Sequence, residues 1–160
     1  MKTIYLSLTA TLLLLTPSCS SDDNITIVEE TKEPTKVTLP LSGKYQWGFE
    51  IPGMGEQVSI HDFKDGKIEY IMSGSAYSNS YDMIPESYNA TEKRIVAVGK
   101  GGEGTYNKDG VYFVMFFKDL TDNTVSLYKK ECTSKEEAYS FAVPADNNTE
   151  NHGWNIYKKE

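Results

Sequence analysis

The chain has 160 residues, about the size of one ordinary domain, and 39% of them are hydrophobic while 24% are charged. This composition excludes a disordered chain and a multi-pass membrane protein. A total of 16 Lys and Arg residues against 23 Asp and Glu gives a net charge of −7, and Arg94 is the single arginine. Nucleic acid and anionic lipid headgroups both require a basic surface. We therefore expect no nucleic-acid partner.

The N-terminus has the layout of a secretory signal over residues 1–18. Lys2 precedes an apolar stretch that ends in four consecutive leucines, and this stretch is too short to remain as a membrane span. Cys19 follows directly, and after it come two serines and two aspartates. The arrangement resembles the signals of bacterial lipoproteins, in which the cysteine thiol receives a diacylglyceryl group. The residues after Cys19 resemble those of lipoproteins of Bacteroidota.

The resemblance implies a protein anchored in the cell outer membrane by lipid on Cys19 and facing the exterior. Cleavage near Ser18 with release of a soluble protein is the alternative. With lipid on Cys19, the second cysteine, Cys132, has no partner for an intramolecular disulfide, so the core must hold the domain together. We predict that residues 19–38 comprise the lipidated cysteine and a flexible acidic tether. The folded domain is expected to span 39–160.

Short segments of alternating polar and apolar residues fill the expected domain, as strands with one buried face do. Strands are predicted over 43–51, 56–63, 66–72, 94–98, 111–117, 124–131 and 154–159, with one irregular strand inside 73–92. In the second of these, Val58 and Ile60 share a face. Turn signals at Pro52-Gly53, Asp65-Gly66 and Asp109-Gly110 link neighbouring strands as hairpins.

One short helix is predicted late in the chain. Ser134 and Glu137 have the spacing of a capping box, and Pro144 ends the segment after about two turns. About eight strands, short links and one late helix predict an all-β fold, either a barrel or a sandwich. We expect an antiparallel up-and-down β-barrel, because a closed barrel has no exposed sheet edge.

The order of elements resembles the lipocalin-like lipoproteins of Bacteroidota over residues 39–160. The likeness depends on the Leu41-Ser42-Gly43-Lys44-Tyr45 segment at the first strand and on the helix between the last two strands. The lipocalin signature has Gly, any residue and Trp, whereas here Tyr45 holds that position and the tryptophan is Trp47. The resemblance implies a barrel that binds a small apolar or amphipathic ligand.

Aromatic and apolar strand residues supply the candidate ligand site at the barrel mouth. The expected ligand-binding residues are Trp47, Phe49, Tyr70, Tyr112 and Met115. The segment 111–117 is apolar on both faces, so it either lines a cavity or is a central strand covered on both sides. A second set of aromatic residues could stack on sugar rings: Tyr70, Tyr77, Tyr81, Tyr88, Tyr106, Trp47 and Trp154.

Catalytic and metal motifs are missing from the sequence. The two histidines, His61 and His152, are far apart and do not belong to a zinc motif, and the acidic turns lack the spacing of a calcium loop. No nucleophile has an evident base. We therefore expect a monomeric, non-enzymatic lipoprotein without cofactor or metal. The alternatives to ligand binding are a protein-binding inhibitor of lysozyme or toxin, using residues 74–92 and 145–153 as loops, and a glycan-binding accessory of polysaccharide uptake.

Overall fold

The computed structural model describes residues 36–64, 66–74 and 78–160. The expected signal peptide, the lipidated Cys19 and all but the last residues of the tether lie outside these ranges, so the expectations for them stay predictions. Within the described ranges, no helix has both the length and the apolar character that a membrane crossing needs.

Eight antiparallel strands form a closed barrel in which each strand pairs with its neighbours in sequence and β1 pairs with β8. The strands are β1 (Gly43–Ile51), β2 (Gly55–Lys64), β3 (Lys67–Gly74), β4 (Ser78–Asn89), β5 (Arg94–Lys100), β6 (Tyr112–Lys118), β7 (Thr124–Cys132) and β8 (Asn155–Lys159). One helix, α1 (Lys135–Ser140), lies between β7 and β8. This architecture confirms the predicted all-β, up-and-down antiparallel barrel with one short late helix.

The register of the hairpins gives the barrel two different ends. At the open end lie the β1–β2 turn, the β5–β6 connection and the long connection that carries α1. At the closed end lie the β2–β3, β4–β5 and β6–β7 turns. Leu39 and Leu41, which precede β1, pack into the core there. The described chain therefore enters the barrel at its closed end.

The barrel interior is filled by alternate side chains of all eight strands. Period-two alternation places every second residue inside, and the apolar ones form a single cluster. Its buried members are Leu41, Tyr45, Phe63, Ile68, Tyr70, Tyr81, Met83, Ile95, Ala97, Phe113, Met115, Phe117, Val125, Leu127 and Tyr157. A core of this kind is close-packed, and a pocket lies at each end of the barrel.

Strand β2 faces the interior with its polar side rather than its apolar one. Gln57, Ser59 and His61 are buried, whereas Val58 and Ile60 lie on the outer face and are half-buried. Register with β1 and β3 fixes the inward side, since Phe63 of the same strand pairs with Gly43 and Ile68 at the closed end. Alternation alone does not tell which of two faces is inside, because a one-residue slip exchanges them.

Residues 78–89 form one long strand, β4, that contains a bulge between Pro85 and Ser87. The expectation of a strand inside 73–92 is confirmed, but the use of residues 74–92 as an exposed recognition loop is wrong. Tyr81 and Met83 point into the core, while serine and acidic residues point outward. The bulge accommodates Pro85, which has no N–H for the ladder.

Helix α1 covers the outer face of β6 and β7. Ala138 of the helix packs against Val114, Phe116 and Tyr128 in a second apolar cluster, while Phe113, Met115 and Phe117 face the interior. The central strand is therefore covered on both sides, which decides between the two interpretations of 111–117. The hydroxyl of Ser134 accepts from the backbone N–H of Glu137 at 3.1 Å, so the predicted N-cap is present.

Candidate ligand-binding site

A small pocket opens at the open end of the barrel, above the filled interior. It has a volume of about 160 Å³, close to the ~150 Å³ of an engineered apolar cavity that holds one benzene molecule. The lining residues come from five strands and one loop: Trp47, Phe49, Ser59, Tyr70, Met72, Lys129, Asn151, His152, Asn155 and Tyr157. Its size suits a single ring or a short alkyl chain, while the remainder of a larger ligand would lie outside.

The apolar wall of the pocket consists of stacked aromatic rings on β1 and β8. Trp47 and Phe49 point to the same side of β1, and their ring centroids are 4.4 Å apart with an interplanar angle of 17°. Trp47 also lies 6.0 Å from the ring of Tyr157. Met72 on β3 packs against the core beside them. Such a wall favours the flat or apolar part of a ligand.

The polar floor of the pocket is the amine of Lys129. This side chain starts on β7 and crosses the lumen to the opposite wall. Its Nζ donates to the hydroxyl of Tyr81 at 2.9 Å and lies 3.3 Å from the ring centroid of Tyr70. The ammonium is thus held by one acceptor and one aromatic face, at the boundary between the pocket and the packed core.

The electrostatic environment of Lys129 is unusual because none of the carboxylates that the structure describes forms an ion pair with its amine. Burial lowers the pKa of Lys129 from 10.5 to about 7, and the carboxylate of Glu131, which opposes that shift, does not compensate for it. Glu131, on the same side of β7 as Lys129 and at the open end, is itself paired with Lys108 at 2.8 Å. Near neutral pH the amine is therefore divided between its charged and neutral forms.

His61 lies next to this site in the interior of β2. Its ring is 5.0 Å from that of Tyr70 and 5.1 Å from that of Tyr157, and neither ring nitrogen has a hydrogen-bond partner. Burial, followed by the charge of Lys129, lowers the pKa of His61 well below 6.5. Ser59 lies two residues before His61, on the same face of β2 and nearer to the mouth. Its hydroxyl shares a hydrogen bond of 3.0 Å with the hydroxyl of Tyr157.

Three of the five residues expected to bind ligand, Trp47, Phe49 and Tyr70, line the pocket together. The structure does not bring the other two there. Met115 is buried in the core at 1% exposure, and Tyr112 packs on the outer face with the helix cluster. Their spacing of three residues puts them on opposite faces of one strand, so at most one of the two could point inward.

Sequence reasoning missed Lys129 and the loop residues Asn151 and His152. A signal for Lys129 was present, since Val125 and Leu127 predict an inward face that continues to position 129. No comparable signal existed for the loop, because its position depends on how the long β7–β8 connection folds over the mouth. Asn151 is held there by a hydrogen bond of 2.9 Å to the hydroxyl of Tyr128.

The aromatic residues considered for sugar stacking do not form one surface. Tyr81 lies in the core, Tyr88 stacks on Phe117 at 6.0 Å, and Tyr106 is exposed on a loop. Trp154 packs in the outer cluster beside α1, and Tyr77 lies outside the described residues. Most of these rings therefore serve packing.

A larger surface depression of about 800 Å³ lies between the start of β4 and residues 102–106. Its walls are mainly Ser, Asn, Gly and Thr, with Tyr106 as the single aromatic residue. A broad, polar, open depression buries little of a ligand, so the smaller pocket is the better candidate. Among residues 36–64, 66–74 and 78–160, no three His, Cys, Asp or Glu side chains come together as metal ligands.

Comparison with protein-family models, with curated proteins and with solved structures found no match to this chain.

Proposed function

We propose that the protein binds a small amphipathic ligand at the open end of its barrel and performs no catalysis. The observation that carries the proposal is the pocket, which joins an aromatic wall to a polar floor in the mouth of a closed barrel. Ligand sites of known proteins combine a mostly apolar lining with a few placed polar groups. The ligand would insert one ring-sized apolar end beside Trp47 and direct a polar group toward Lys129.

We further propose that the protein is exported, that lipid on Cys19 anchors it in the outer membrane, and that the pocket faces outward. The resemblance of residues 1–23 to lipoprotein signals supports the anchor. Leu39 and Leu41 lie at the closed end of the barrel, opposite the pocket.

A pair of variants on β3 tests ligand binding. Met72→Trp adds a large side chain to the pocket, whereas Ile71→Trp adds the same side chain on the outer face of the same strand. Ligand-observed NMR with benzyl alcohol and the full chain should show saturation transfer from the wild type and Ile71→Trp. Transfer should be lost in Met72→Trp. Equal signals from both variants, or none from the wild type, would overturn the proposal.

Native mass spectrometry of the full chain, purified without denaturation, adds the identity of the ligand class. We expect a discrete excess mass that disappears on denaturation and is absent from Met72→Trp. A bare mass in all three proteins, together with no NMR signal, would count against a ligand carrier.

A protein-binding inhibitor is the second candidate, and one observation favours it. The interior below Lys129 is filled by core side chains, and the polar segment 145–153 lies over the mouth, where Asn151 and His152 reach the pocket. A recognition loop needs a packed support rather than a cavity. If the wild type captures a protein partner and Met72→Trp captures the same partner, the result would support the inhibitor function instead of ligand binding.

A further inference from the structure

The pocket lining contains a lysine and no carboxylate, in a protein that is otherwise acidic. The chain has a net charge of −7 with 23 Asp and Glu residues, yet none of the ten side chains that line the pocket is a carboxylate. The lining includes one lysine, Lys129, and one histidine, His152. A site of one sign with low-dielectric walls concentrates ligands of the opposite charge.

Lys129 has no counter-ion among the residues that the structure describes. The carboxylate of Glu131, two positions along β7, is engaged by Lys108 at 2.8 Å. The ammonium has three N–H donors, of which one is used by the hydroxyl of Tyr81 at 2.9 Å. Lys129 is half-buried and lines the pocket, so the unused donors of its amine lie where the pocket ends.

We infer that the polar end of the bound ligand is an anion of the carboxylate type, which Lys129 receives as its missing counter-ion. This inference rests on the proposed ligand-binding function and specifies the chemistry of the ligand. A ring-sized apolar body beside Trp47 and Phe49 with an acidic group at its end is the ligand class. The ammonium–carboxylate hydrogen bond would replace solvent contacts that both groups lose on entering the pocket.

Binding of an anion is coupled to a proton, because burial lowers the pKa of Lys129 to about 7. The anion favours the charged amine, so complex formation above pH 7 takes up a proton, and affinity falls as the pH rises. The titratable groups around the amine are His61, Tyr70, Tyr81 and Tyr157 from the other walls, His152 at the rim, and the Glu131–Lys108 ion pair at the open end. His61 stays neutral in this range because its pKa lies well below 6.5.

Phenylacetate and its neutral isostere phenylacetamide test the inference by calorimetry on the full chain. At pH 6.5 we expect phenylacetate to bind about tenfold or more tightly than the amide, the typical gain of a charge-assisted hydrogen bond. Between pH 6.5 and 8.5 the affinity for phenylacetate should fall about tenfold or more, as the amine loses its proton. The affinity for the amide should not change.

Two lysine variants show whether the amine is responsible. Lys129→Met should abolish the preference for phenylacetate and its pH dependence. Lys158→Met removes the same formal charge from the exposed face of β8 and should retain both. If Lys129→Met does not fold, calorimetry on the wild type at pH 8 in two buffers of different ionisation enthalpy replaces it. The binding enthalpy of phenylacetate should differ between the buffers, because its binding takes up a proton. The binding enthalpy of phenylacetamide should be the same in both.

The outcomes separate this inference from the function on which it rests. Equal binding of both compounds, unchanged in Lys129→Met, would overturn the anionic head group and leave ligand binding intact. Binding of neither compound, with no saturation transfer from benzyl alcohol, would overturn the proposed function and this inference with it.

Discussion

The Nζ atom of Lys129 lies 3.3 Å from the ring centroid of Tyr70, on the opposite wall of the barrel. A cation over an aromatic face gains electrostatic energy, and more so when it is shielded from water. That contact and the hydroxyl of Tyr81 do not restore the hydration that the amine loses, because burial still lowers its pKa to about 7. The folded barrel therefore holds this proton less tightly than the unfolded chain does.

Replacing Lys129 by Met should stabilise the barrel and remove part of its pH dependence. The pKa of Lys129 is 10.5 in the unfolded chain and about 7 in the folded protein. Between pH 7 and pH 10.5 this amine is therefore protonated in the unfolded chain and mostly neutral in the folded protein. Wild-type stability should thus decrease as the pH falls from 9 to 7. At pH 7 we expect Lys129→Met to be more stable by up to ~4 kcal/mol, because the pKa of the amine falls from 10.5 to about 7 on folding and each pKa unit corresponds to about 1.4 kcal/mol.

Urea denaturation of the full chain at pH 7 and pH 9 measures both effects. Lys158→Met, on the exposed face of β8, is the control and should keep the wild-type slope. The measurement stays at or below pH 9 because burial raises the pKa of Tyr81 and Tyr157. Near pH 10 these tyrosines would begin to lose a proton in the unfolded chain but not in the folded protein, and this difference lowers the stability. A Lys129→Met variant with an undiminished slope would contradict the prediction.

His61→Phe should protect the barrel against acid. The pKa of His61 is well below 6.5 in the folded protein, so below pH 6.5 the unfolded chain takes up a proton that the folded protein excludes. The stability that neutral His61 contributes is full above pH 6.5 and decreases as the pH falls below that value. Phe keeps a flat ring among Tyr70, Phe63 and Tyr157, and has no nitrogen to leave unpaired.

Chemical denaturation at pH 8 and pH 5 checks this prediction. The loss of stability between the two values should be smaller in His61→Phe than in the wild type by the amount that His61 contributes. His152→Asn changes the exposed histidine, whose positive φ of 70° asparagine tolerates, and should show the full wild-type loss. The same loss in all three proteins would exclude His61 as the acid-sensitive group.

Most of the barrel could be predicted from the sequence because its strands alternate regularly and its turns carry strong signals. The predicted 43–51 strand is confirmed as β1, and Ile68, Tyr70 and Met72 point inward as their period indicates. Strand β2 shows the limit of this reasoning. Its interior face carries Gln57, Ser59 and His61, and only the register with neighbouring strands reveals that the polar face is the inner one.

The candidate site was less predictable than the fold, because it depends on side-chain reach and loop position. Trp47, Phe49 and Tyr70 were identified from the apolar face of their strands. Lys129 was missed because a lysine in an alternating strand is ordinarily solvated, and nothing local shows that its side chain crosses the lumen. Tyr112 was assigned to the mouth although it packs beneath α1, since the sequence does not say which face the helix covers.

Two strand glycines that look alike in sequence should respond differently to alanine. A Cβ at Gly48 would lie 3.6 Å from the Glu56 carboxylate, an ordinary contact, whereas a Cβ at Gly99 would lie 2.3 Å from the backbone oxygen of Lys108 and 3.0 Å from Phe113. Gly48→Ala should leave stability unchanged or raise it by up to ~1 kcal/mol, because glycine weakens a strand. Gly99→Ala should lower it by about 1–3 kcal/mol through overpacking.

Urea midpoints of the two variants, measured with an unchanged denaturant slope, test this pair. Gly99 belongs to the segment 99–104, which by composition is a flexible link, yet in the structure it is part of β5 and in close contact with the β5–β6 connection. Equal midpoints for the two variants would show that the connection moves aside, and that Gly99 has no packing role.

The two cysteines of the chain provide a matched test of the lipid anchor. Cys19→Ala should abolish incorporation of labelled palmitate and move the protein from the membrane fraction to the soluble fraction, because Cys19 is the expected acceptor of the diacylglyceryl group. Cys132→Ala should keep the label and the membrane fraction. Cys132 is buried at 6% exposure at the end of β7, where it is unavailable for lipid.

Detergent phase partition of cell extracts gives the same comparison without radioactivity. A Cys19→Ala variant that still partitions with the membrane would show that another segment anchors the protein, and the outward orientation proposed for the pocket would then lose its basis.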